Sequence, residues 1–257
     1  RGTNLFASDI ANPLSFREPE YFATVSAFVF DGEITALSEV PNTDIAQLLV
    51  FTRGSTSMLQ SGIRDRSTWN SVENFQRVVF PSVGCVSNRS VTTHLGLLWW
   101  YSSFGVTSLN TAAFTRQSSV VPLQDNEMLD SKARLFTDLS GVAITSFENY
   151  LLVSVPYCDR YNSHTWVLDG APLQRANGAS GAAWNSYWTG TRPVQWISGN
   201  MNGAERIFFL SKDYDGGNRL WEAFTPDRLD DGCPITWMVE TRALDGGAPL
   251  VHKEFRY

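Results

Sequence analysis

Residues 97–109 read Leu-Leu-Trp-Trp-Tyr-Ser-Ser-Phe-Gly-Val-Thr-Ser-Leu, which is a continuous apolar run, a tight polar turn and a second strand-like run. The same order recurs from Leu48, Leu151 and Ile207, so successive copies begin 49, 54 and 56 residues apart. Periods of roughly 40–50 residues built from short strands are typical of radial β-repeats. Because one such repeat cannot bury both faces of its own sheet, neighbouring repeats are expected to stack.

The repeat predicts an all-β, β-propeller-like fold of about four blades, each of roughly 50 residues. The predicted units cover about 21–75, 76–120, 140–185 and 186–245, within a single domain of 1–257. Each unit contains at least three strands, and a fourth is expected in the more variable stretch between units. Either the ring closes with four or five blades, or the chain forms part of a larger ring.

The central run of each unit is continuously apolar rather than alternating, as in Leu48-Leu-Val-Phe, Leu97-Leu-Trp-Trp and Ile207-Phe-Phe-Leu. Continuous apolarity is typical of a strand that is buried on both faces. In the second unit the first strand is expected within Val83–Val91. One segment departs from the pattern: Val121 to Leu139 has roughly helical apolar spacing and predicts one short inserted helix, either covering a blade edge or binding a partner.

Charged residues make up only 18% of the chain, below the roughly 25% of an average domain, whereas aromatic residues make up 13%. This balance suggests a surface partly covered by partners; an all-β protein with polar loops is the plain alternative. The net charge of −6 argues against a protein that binds nucleic acid by neutralising phosphates. It does not exclude a surface along which nucleic acid slides without adhering.

The chain carries Cys85, Cys158 and Cys233, far apart and odd in number. This is a poor disulfide framework, and buried free thiols in a reducing compartment are expected instead. The sequence begins at Arg1 without a Met and has neither a leader nor an apolar run long enough to cross a bilayer. We expect the chain to be a fragment of a longer protein.

No catalytic motif is present, and the three histidines, His94, His164 and His252, are isolated from potential co-ligands and are expected to be structural. The strongest candidate for chemistry is the turn of residues 211–221. Asp213 and Asp215 could bind a metal there, but the further oxygen ligands and distal Glu of a calcium loop are absent. The structural alternative is a turn capped by Asp, with Gly216 supplying a positive φ.

A pair of carboxylates converging on a sugar would be needed for glycoside hydrolysis. Asp31, Asp169 and Asp213 each lie near a predicted strand end and could reach a common rim. Random placement of 26 acidic residues predicts as much. The sequence therefore assigns no catalytic, cofactor-binding or metal-binding residue.

Several phrases of the repeat resemble a known family. They are Val83-Gly-Cys-Val-Ser-Asn-Arg-Ser-Val91, Gly96-Leu-Leu-Trp-Trp-Tyr-Ser-Ser-Phe-Gly-Val106, the phrases of residues 48–62 and 206–222, and Val239-Glu-Thr-Arg-Ala-Leu244. They resemble the propeller-like region of the tail nozzle, or tail tubular protein B-like, family of tailed bacteriophages. The resemblance spans most of residues 20–257. It rests on repeat phrases rather than on catalytic signatures.

The resemblance implies a structural virion protein and not an enzyme. Copies of the chain, roughly six, would form a homo-oligomeric ring around the DNA exit channel. The implied partners are other tail or portal and adaptor proteins, with transient, non-specific contact to genomic DNA in the lumen during ejection. No cofactor is implied, and the protein would be assembled into the virion in the host cytoplasm.

The main alternative is a carbohydrate-binding or carbohydrate-active β-propeller. In that case Trp184-Asn-Ser-Tyr-Trp188 would supply aromatic rings that stack on sugars, although packing between blades is the plain alternative for the same cluster. Exposure of these rings on one rim beside acidic side chains would favour sugar binding. A general interaction propeller is a third hypothesis, which the lack of Trp-Asp-terminated repeats disfavours.

Overall fold

The structure is a computed structural model that describes residues 2–8, 27–41, 46–60, 62–63, 68–69, 71–109, 120–122, 138–156, 161–170, 183–212, 216–226, 229–230 and 232–236. Within these ranges only the backbone is described for 120–122, 183–185, 187 and 229–230. The chain separates into two compact units, Arg1–Ala223 and Phe224–Tyr257. That a single domain spans 1–257 stays a prediction.

The first unit is built from small antiparallel sheets whose strands follow one another in chain order. The N-terminal sheet pairs β1 (Asn4–Phe6) with β2 (Ala27–Val29). Sheet I contains β3 (Ile34–Glu39), β4 (Leu48–Thr52), β5 (Thr56–Leu59) and β6 (Gln76–Phe80). Sheet II contains β7 (Val91–His94), β8 (Leu97–Ser102), β9 (Gly105–Leu109) and β10 (Val120–Pro122).

Sheet III contains β11 (Ala143–Phe147), β12 (Tyr150–Val155), β13 (His164–Asp169) and β14 (Ala183–Thr189). Sheet IV has three described strands, β15 (Pro193–Met201), β16 (Ala204–Lys212) and β17 (Asn218–Ala223). The fourth strand expected after each triplet is therefore confirmed in sheets I, II and III. In the second unit, β18 (Leu229–Asp230) pairs with β19 (Cys233–Pro234).

Successive sheets of the first unit pack face to face, because their central strands carry apolar side chains on both faces. On β8, Leu98 and Trp100 pack against sheet I, whereas Trp99 and Tyr101 pack against sheet III. On β4, alternate side chains likewise pack against the N-terminal sheet and against sheet II. The prediction that these continuous runs are buried on both faces is confirmed for sheets I and II.

The first strands of neighbouring sheets also lie side by side, since β11 contacts both β7 and β15. The segment before β7 adds links to sheets on either side. Thr35 donates from Oγ1 to the Cys85 carbonyl at 2.7 Å, and Arg89 donates from Nη1 to the Val194 carbonyl at 3.1 Å. Sheets I, II and IV are thus connected along their first strands.

Two predictions of secondary structure differ from the structure. The strand expected within Val83–Val91 begins only at Val91, because residues Asn88–Ser90 form a single 3-10 turn capped by the Ser87 side chain. Of the helix predicted from Val121 to Leu139, the beginning lies in strand β10, and residues 123–137 lie outside the described residues. The described residues contain no α-helix, and none of their sheets closes on itself.

Within the described ranges, no helix has the length and apolarity needed to cross a membrane. The fold class is thus all-β, made of small antiparallel sheets.

Candidate functional site

The acidic residues considered for catalysis lie on separate elements. Asp31 occupies the turn before β3. Asp169 is the last residue of β13, and its backbone lies opposite Tyr150 in the register with β12. Asp213 and Asp215 lie outside the described residues. In the part of the chain that is described, no three His, Cys, Asp or Glu side chains lie close enough together to hold a metal ion.

His94 is a buried histidine of the interface between sheets II and III. Its Nδ1 lies 2.8 Å from Ser146 Oγ, while its Nε2 is buried without a hydrogen-bond partner. Burial lowers the pKa of His94 from 6.5 to about 4. At neutral pH the ring is therefore uncharged. The side chain is also only 1% exposed, which suits a packing role and gives a substrate no access to it.

The remaining histidines and the cysteines divide between buried, exposed and undescribed positions. Burial raises the pKa of the Cys85 thiol to about 11, so at neutral pH it is the protonated, unreactive form. Cys233 is exposed, so the prediction of a buried thiol is wrong there; it lies on the two-residue strand β19, both residues of which are exposed. His164 is half-buried with Nδ1 3.2 Å from Ser163 Oγ. Cys158 and His252 lie outside the described residues.

The described ends of the turn between β16 and β17 have structural roles. Trp221 donates from Nε1 to Ser211 Oγ at 2.9 Å across the hairpin, and Lys212 donates from Nζ to the Gly216 carbonyl at 3.1 Å. Gly216 has the predicted positive φ, 82°. These contacts hold the base of the hairpin closed.

Tryptophan exposure bears on the sugar-binding alternative. The side chains of Trp184 and Tyr187 lie outside the described residues, but Trp188 is half-buried and packs against the core between sheets III and IV. The other described tryptophans are also buried or half-buried; they are Trp69, Trp99, Trp100, Trp166, Trp196 and Trp221. Among the described residues, no tryptophan ring is exposed in the way that a sugar-stacking platform requires.

Among the described residues, sheet IV differs from sheets I to III in that only one of its faces packs against another sheet. Cross-strand neighbours share a face, and Trp196, Phe209 and Trp221 are such neighbours on the inner face. Together with Ile207 they pack against sheet III. Trp196 also donates from Nε1 to Ser154 Oγ of β12 at 2.9 Å, so the inner face is fixed to its neighbour by a hydrogen bond.

The opposite face of sheet IV carries a row of apolar side chains that the described cores do not include. We call it the outer face, and its members by register are Gln195, Ile197, Gly199, Met201, Ala204, Arg206, Phe208, Leu210, Lys212, Asn218, Leu220 and Glu222. Leu220 is 63% exposed, Met201 50% and Ile197 48%. Phe208 and Leu210, the two large apolar residues of the central strand on this face, are half-exposed.

The outer face carries three charged side chains. Arg206 donates from Nη1 to Glu222 Oε1 at 3.1 Å, and an exposed pair of this kind adds little to stability. Lys212 lies on the same face at the far end of β16, where its Nζ donates to the uncharged Gly216 carbonyl. The described outer face is therefore mainly apolar, with one positive charge in excess.

The hairpin of β15 and β16 extends the outer face beyond the packed part of the sheet. Residues 198–205 are all exposed. Their turn is formed by Asn202 and Gly203, with φ of 56° and 81°, which is the two-residue turn that matches the twist of a hairpin. The hairpin thus carries Met201 out into solvent on the same face as Ile197.

Sequence reasoning did not identify the outer face as a site. The run Ile207-Phe-Phe-Leu predicts burial on both faces, and here the prediction is wrong: Ile207 and Phe209 are buried, whereas Phe208 and Leu210 are half-exposed. The signal available in the sequence was the run itself. Only the structure shows that this continuously apolar run is packed on one face and not on both.

No protein-family model matches the chain, and no curated protein matches it either. The outer face of sheet IV is the feature of the described residues that points most directly to a role.

Proposed function

We propose that this chain is a structural protein of a phage tail, a nozzle or tail-tube component that forms an oligomeric ring around the DNA exit channel. The observation that carries the proposal is the exposed outer face of sheet IV, whose central run has the apolarity of a strand covered on both sides. Such a face is typical of a subunit that is completed by a neighbour. The assignment to a phage tail rests on the resemblance of the repeat phrases.

The proposal includes a propeller-like arrangement of about four blades, with sheets I to IV as the blades. Three observations support it. Successive sheets pack face to face in chain order, and their first strands lie side by side. The hydrogen bond from Arg89 to the Val194 carbonyl joins sheet II to sheet IV past sheet III, as expected when first strands converge on a common axis.

The charge of the chain fits a conduit for DNA. A net charge of −6 disfavours adhesion of a polyanion, so DNA could pass along the wall without being held. In this proposal the other partners are tail and portal or adaptor proteins, and the protein is located in the virion after assembly in the host cytoplasm.

The proposal gives the chain no catalytic role. It is supported by the burial of His94 and Cys85, whose pKa values are shifted so that the imidazole is uncharged and the thiol protonated at neutral pH. A general base or a nucleophile needs contact with substrate, which a side chain exposed by 1% or less does not have.

The test is to locate the chain in the particle. Antibodies raised against it should label one end of the tail in electron micrographs of the phage that encodes it, and quantitative mass spectrometry of purified particles should give a fixed copy number of several per virion. Particles that carry neither label nor peptides would overturn the proposal.

A glycan array probed with the same chain separates the proposal from the sugar-binding alternative. We expect no glycan to bind at micromolar concentration. Specific binding, together with absence from the virion, would favour the carbohydrate-binding propeller.

A further inference from the structure

We propose that the free edge of β2 is a docking site for an extended segment of another protein, which adds a third strand to the N-terminal sheet. This sheet has two strands and packs on the four-stranded sheet I. Its inner side chain Phe28 lies in one core with Val50 of β4 and Leu59 of β5. The inference goes beyond the proposed function and does not depend on it.

The backbone of β2 turns two of its residues towards the free edge. Phe30 donates from N to the Thr3 carbonyl at 2.9 Å, so these residues form a hydrogen-bonded pair with β1. Because hydrogen-bonded and non-hydrogen-bonded pairs alternate along an antiparallel ladder, Ala27 and Val29 direct their N–H and C=O groups away from β1. In the described part of the chain these groups have one partner, the Gln76 side chain, whose Nε2 donates to the Val29 carbonyl at 2.8 Å. The edge thus offers unpaired backbone donors and acceptors, the groups that a further strand satisfies.

The surface of sheet I beside this edge is uncovered. Gln76 and Leu59 are cross-strand neighbours, so Gln76 lies on the face of sheet I that the N-terminal sheet covers. Val78, two residues further along β6, lies on the same face and is 54% exposed. A third strand at the edge of β2 would lie above β6, because the Gln76 side chain already reaches that edge. It would continue the contact between the N-terminal sheet and sheet I, and it would cover Val78.

A cleft at the same edge selects the side chain that the added strand carries. The cleft has a volume of about 450 Å³, and its lining includes Val29 and the aromatic side chains of Phe28, Trp69 and Phe75. Phe75 stacks with Phe28 and with Trp69, at ring-centroid distances of 5.6 and 4.8 Å. Cross-strand neighbours share a face, so a residue opposite Phe28 would direct its side chain towards sheet I and this aromatic cluster. A large apolar side chain fits there.

The edge and the cleft together favour a peptide over a small apolar molecule. A small molecule could fill the cleft, but it would leave the N–H groups of Ala27 and Val29 without partners. An extended peptide pairs with the edge through its own backbone, which supplies affinity, and its side chain in the cleft supplies specificity. The ligand class is therefore an extended segment with one large apolar residue, whose two neighbours in sequence point away from sheet I.

The experiment is a fluorescence-polarisation titration of a labelled, end-capped peptide, Thr-Thr-Phe-Thr-Thr, with the full chain. We expect a Kd of roughly 10–100 μM, and binding about tenfold weaker or less when the central Phe of the peptide is replaced by Ala. Ala27→Pro should weaken binding roughly tenfold, because it removes an N–H from the edge at the first residue of β2, where proline is tolerated. Asn4→Pro is the matched control, since it places proline at the first residue of β1, on the opposite edge of the same sheet, and should bind as the wild type does.

A second pair of variants tests the cover over β6 and remains decisive if Ala27→Pro does not fold. Val78→Glu should weaken binding several-fold, because the added strand would cover the new carboxylate. Ile197→Glu replaces a side chain of similar exposure, 48%, on sheet IV and should leave the Kd unchanged. Hydrogen exchange followed by NMR should show the Val29 N–H unprotected in the chain alone and protected when the peptide is bound.

Three results would each overturn the inference. The first is no binding of the phenylalanine peptide at concentrations of the chain up to about 1 mM. The second is equal binding by each variant and its control. The third is protection of the Val29 N–H in the chain alone, which would mean that the chain itself or a second copy already covers the edge. These measurements do not involve the particle, so their failure would leave the proposed function standing.

Discussion

Gly84 lies where two backbone segments pass in direct contact. Its neighbour Cys85 donates from N to the Thr52 carbonyl at 2.9 Å, and a Cβ on Gly84 would overlap that carbonyl oxygen and the Arg53 carbonyl group. Backbone atoms cannot move aside as a flexible side chain can. The link between sheet I and the segment leading to sheet II therefore requires a residue without a side chain.

We predict that Gly84→Ala lowers the free energy of unfolding by roughly 3 kcal/mol, through overpacking against backbone. The matched control is Gly54→Ala, because a Cβ on Gly54 would meet nothing within 4 Å, and its effect should stay within about 0.5 kcal/mol. Urea unfolding followed by tryptophan fluorescence measures both. Similar losses in the two variants would contradict the close approach at Gly84.

His94 makes the stability of the chain sensitive to acid. Its folded-state pKa is about 4 and its unfolded value 6.5, so between these pH values the unfolded state binds a proton that the folded state does not. The free energy of unfolding should be unaffected by this group above pH 6.5 and should fall by about 3 kcal/mol as the pH drops to 4.

Urea titrations at pH 7, 5.5 and 4 would measure this contribution. The variant His94→Gln should lose less stability on acidification than the wild type. Parallel pH profiles for the wild type and His94→Gln would show that the buried imidazole is not responsible.

At the scale of elements, sheets III and IV are joined by a polar contact within an apolar interface. Ser154 Oγ on β12 accepts from Trp196 Nε1 on β15 and lies 2.9 Å from Thr165 Oγ1 on β13. Ser154 is fully buried, so removal of its hydroxyl leaves the indole N–H without a partner.

We predict that Ser154→Ala costs roughly 1–3 kcal/mol of unfolding free energy, the penalty for a buried, unsatisfied donor. In a Trp196→Phe background the same substitution should cost much less, because no indole N–H remains to be satisfied. A double-mutant cycle measured by chemical unfolding gives the coupling directly. Additive effects of the two substitutions would contradict the hydrogen bond.

The central strands of the sheets were predictable from the sequence alone. The apolar runs that begin at Leu48, Leu97 and Leu151 in the sequence form the central strands β4, β8 and β12. These strands are specified locally, by a continuous apolar run that ends at a polar turn. They agree with the structure because the residues that form the apolar runs in the sequence are the same residues that neighbouring sheets bury.

The segment before β7 was not predictable, because its partners are distant in sequence. Ser87 Oγ accepts from the Arg89 N–H and donates to the Val142 carbonyl, 55 residues away. These bonds favour a 3-10 turn over the extended strand expected from Val83–Val91. The outer face of sheet IV was unpredictable for a related reason. The apolarity of a strand predicts that its faces are buried, but it does not predict which molecule buries them.

At the scale of the whole molecule, the account depends on where apolar surface and charge lie. Described apolar side chains of sheets I to III pack largely against neighbouring sheets, whereas sheet IV leaves apolar side chains of its outer face in contact with solvent. The chain as a whole carries a net charge of −6. Together these properties suit a subunit that associates through one face and repels a polyanion elsewhere.

The most direct test of the account is the mass of the assembly that the protein forms, in solution by native mass spectrometry and within the particle that contains it. We predict a discrete closed ring of several identical copies, roughly six. A protein that is monomeric in solution and present as a single copy in the particle would contradict the central claim that this chain is a ring-forming structural subunit.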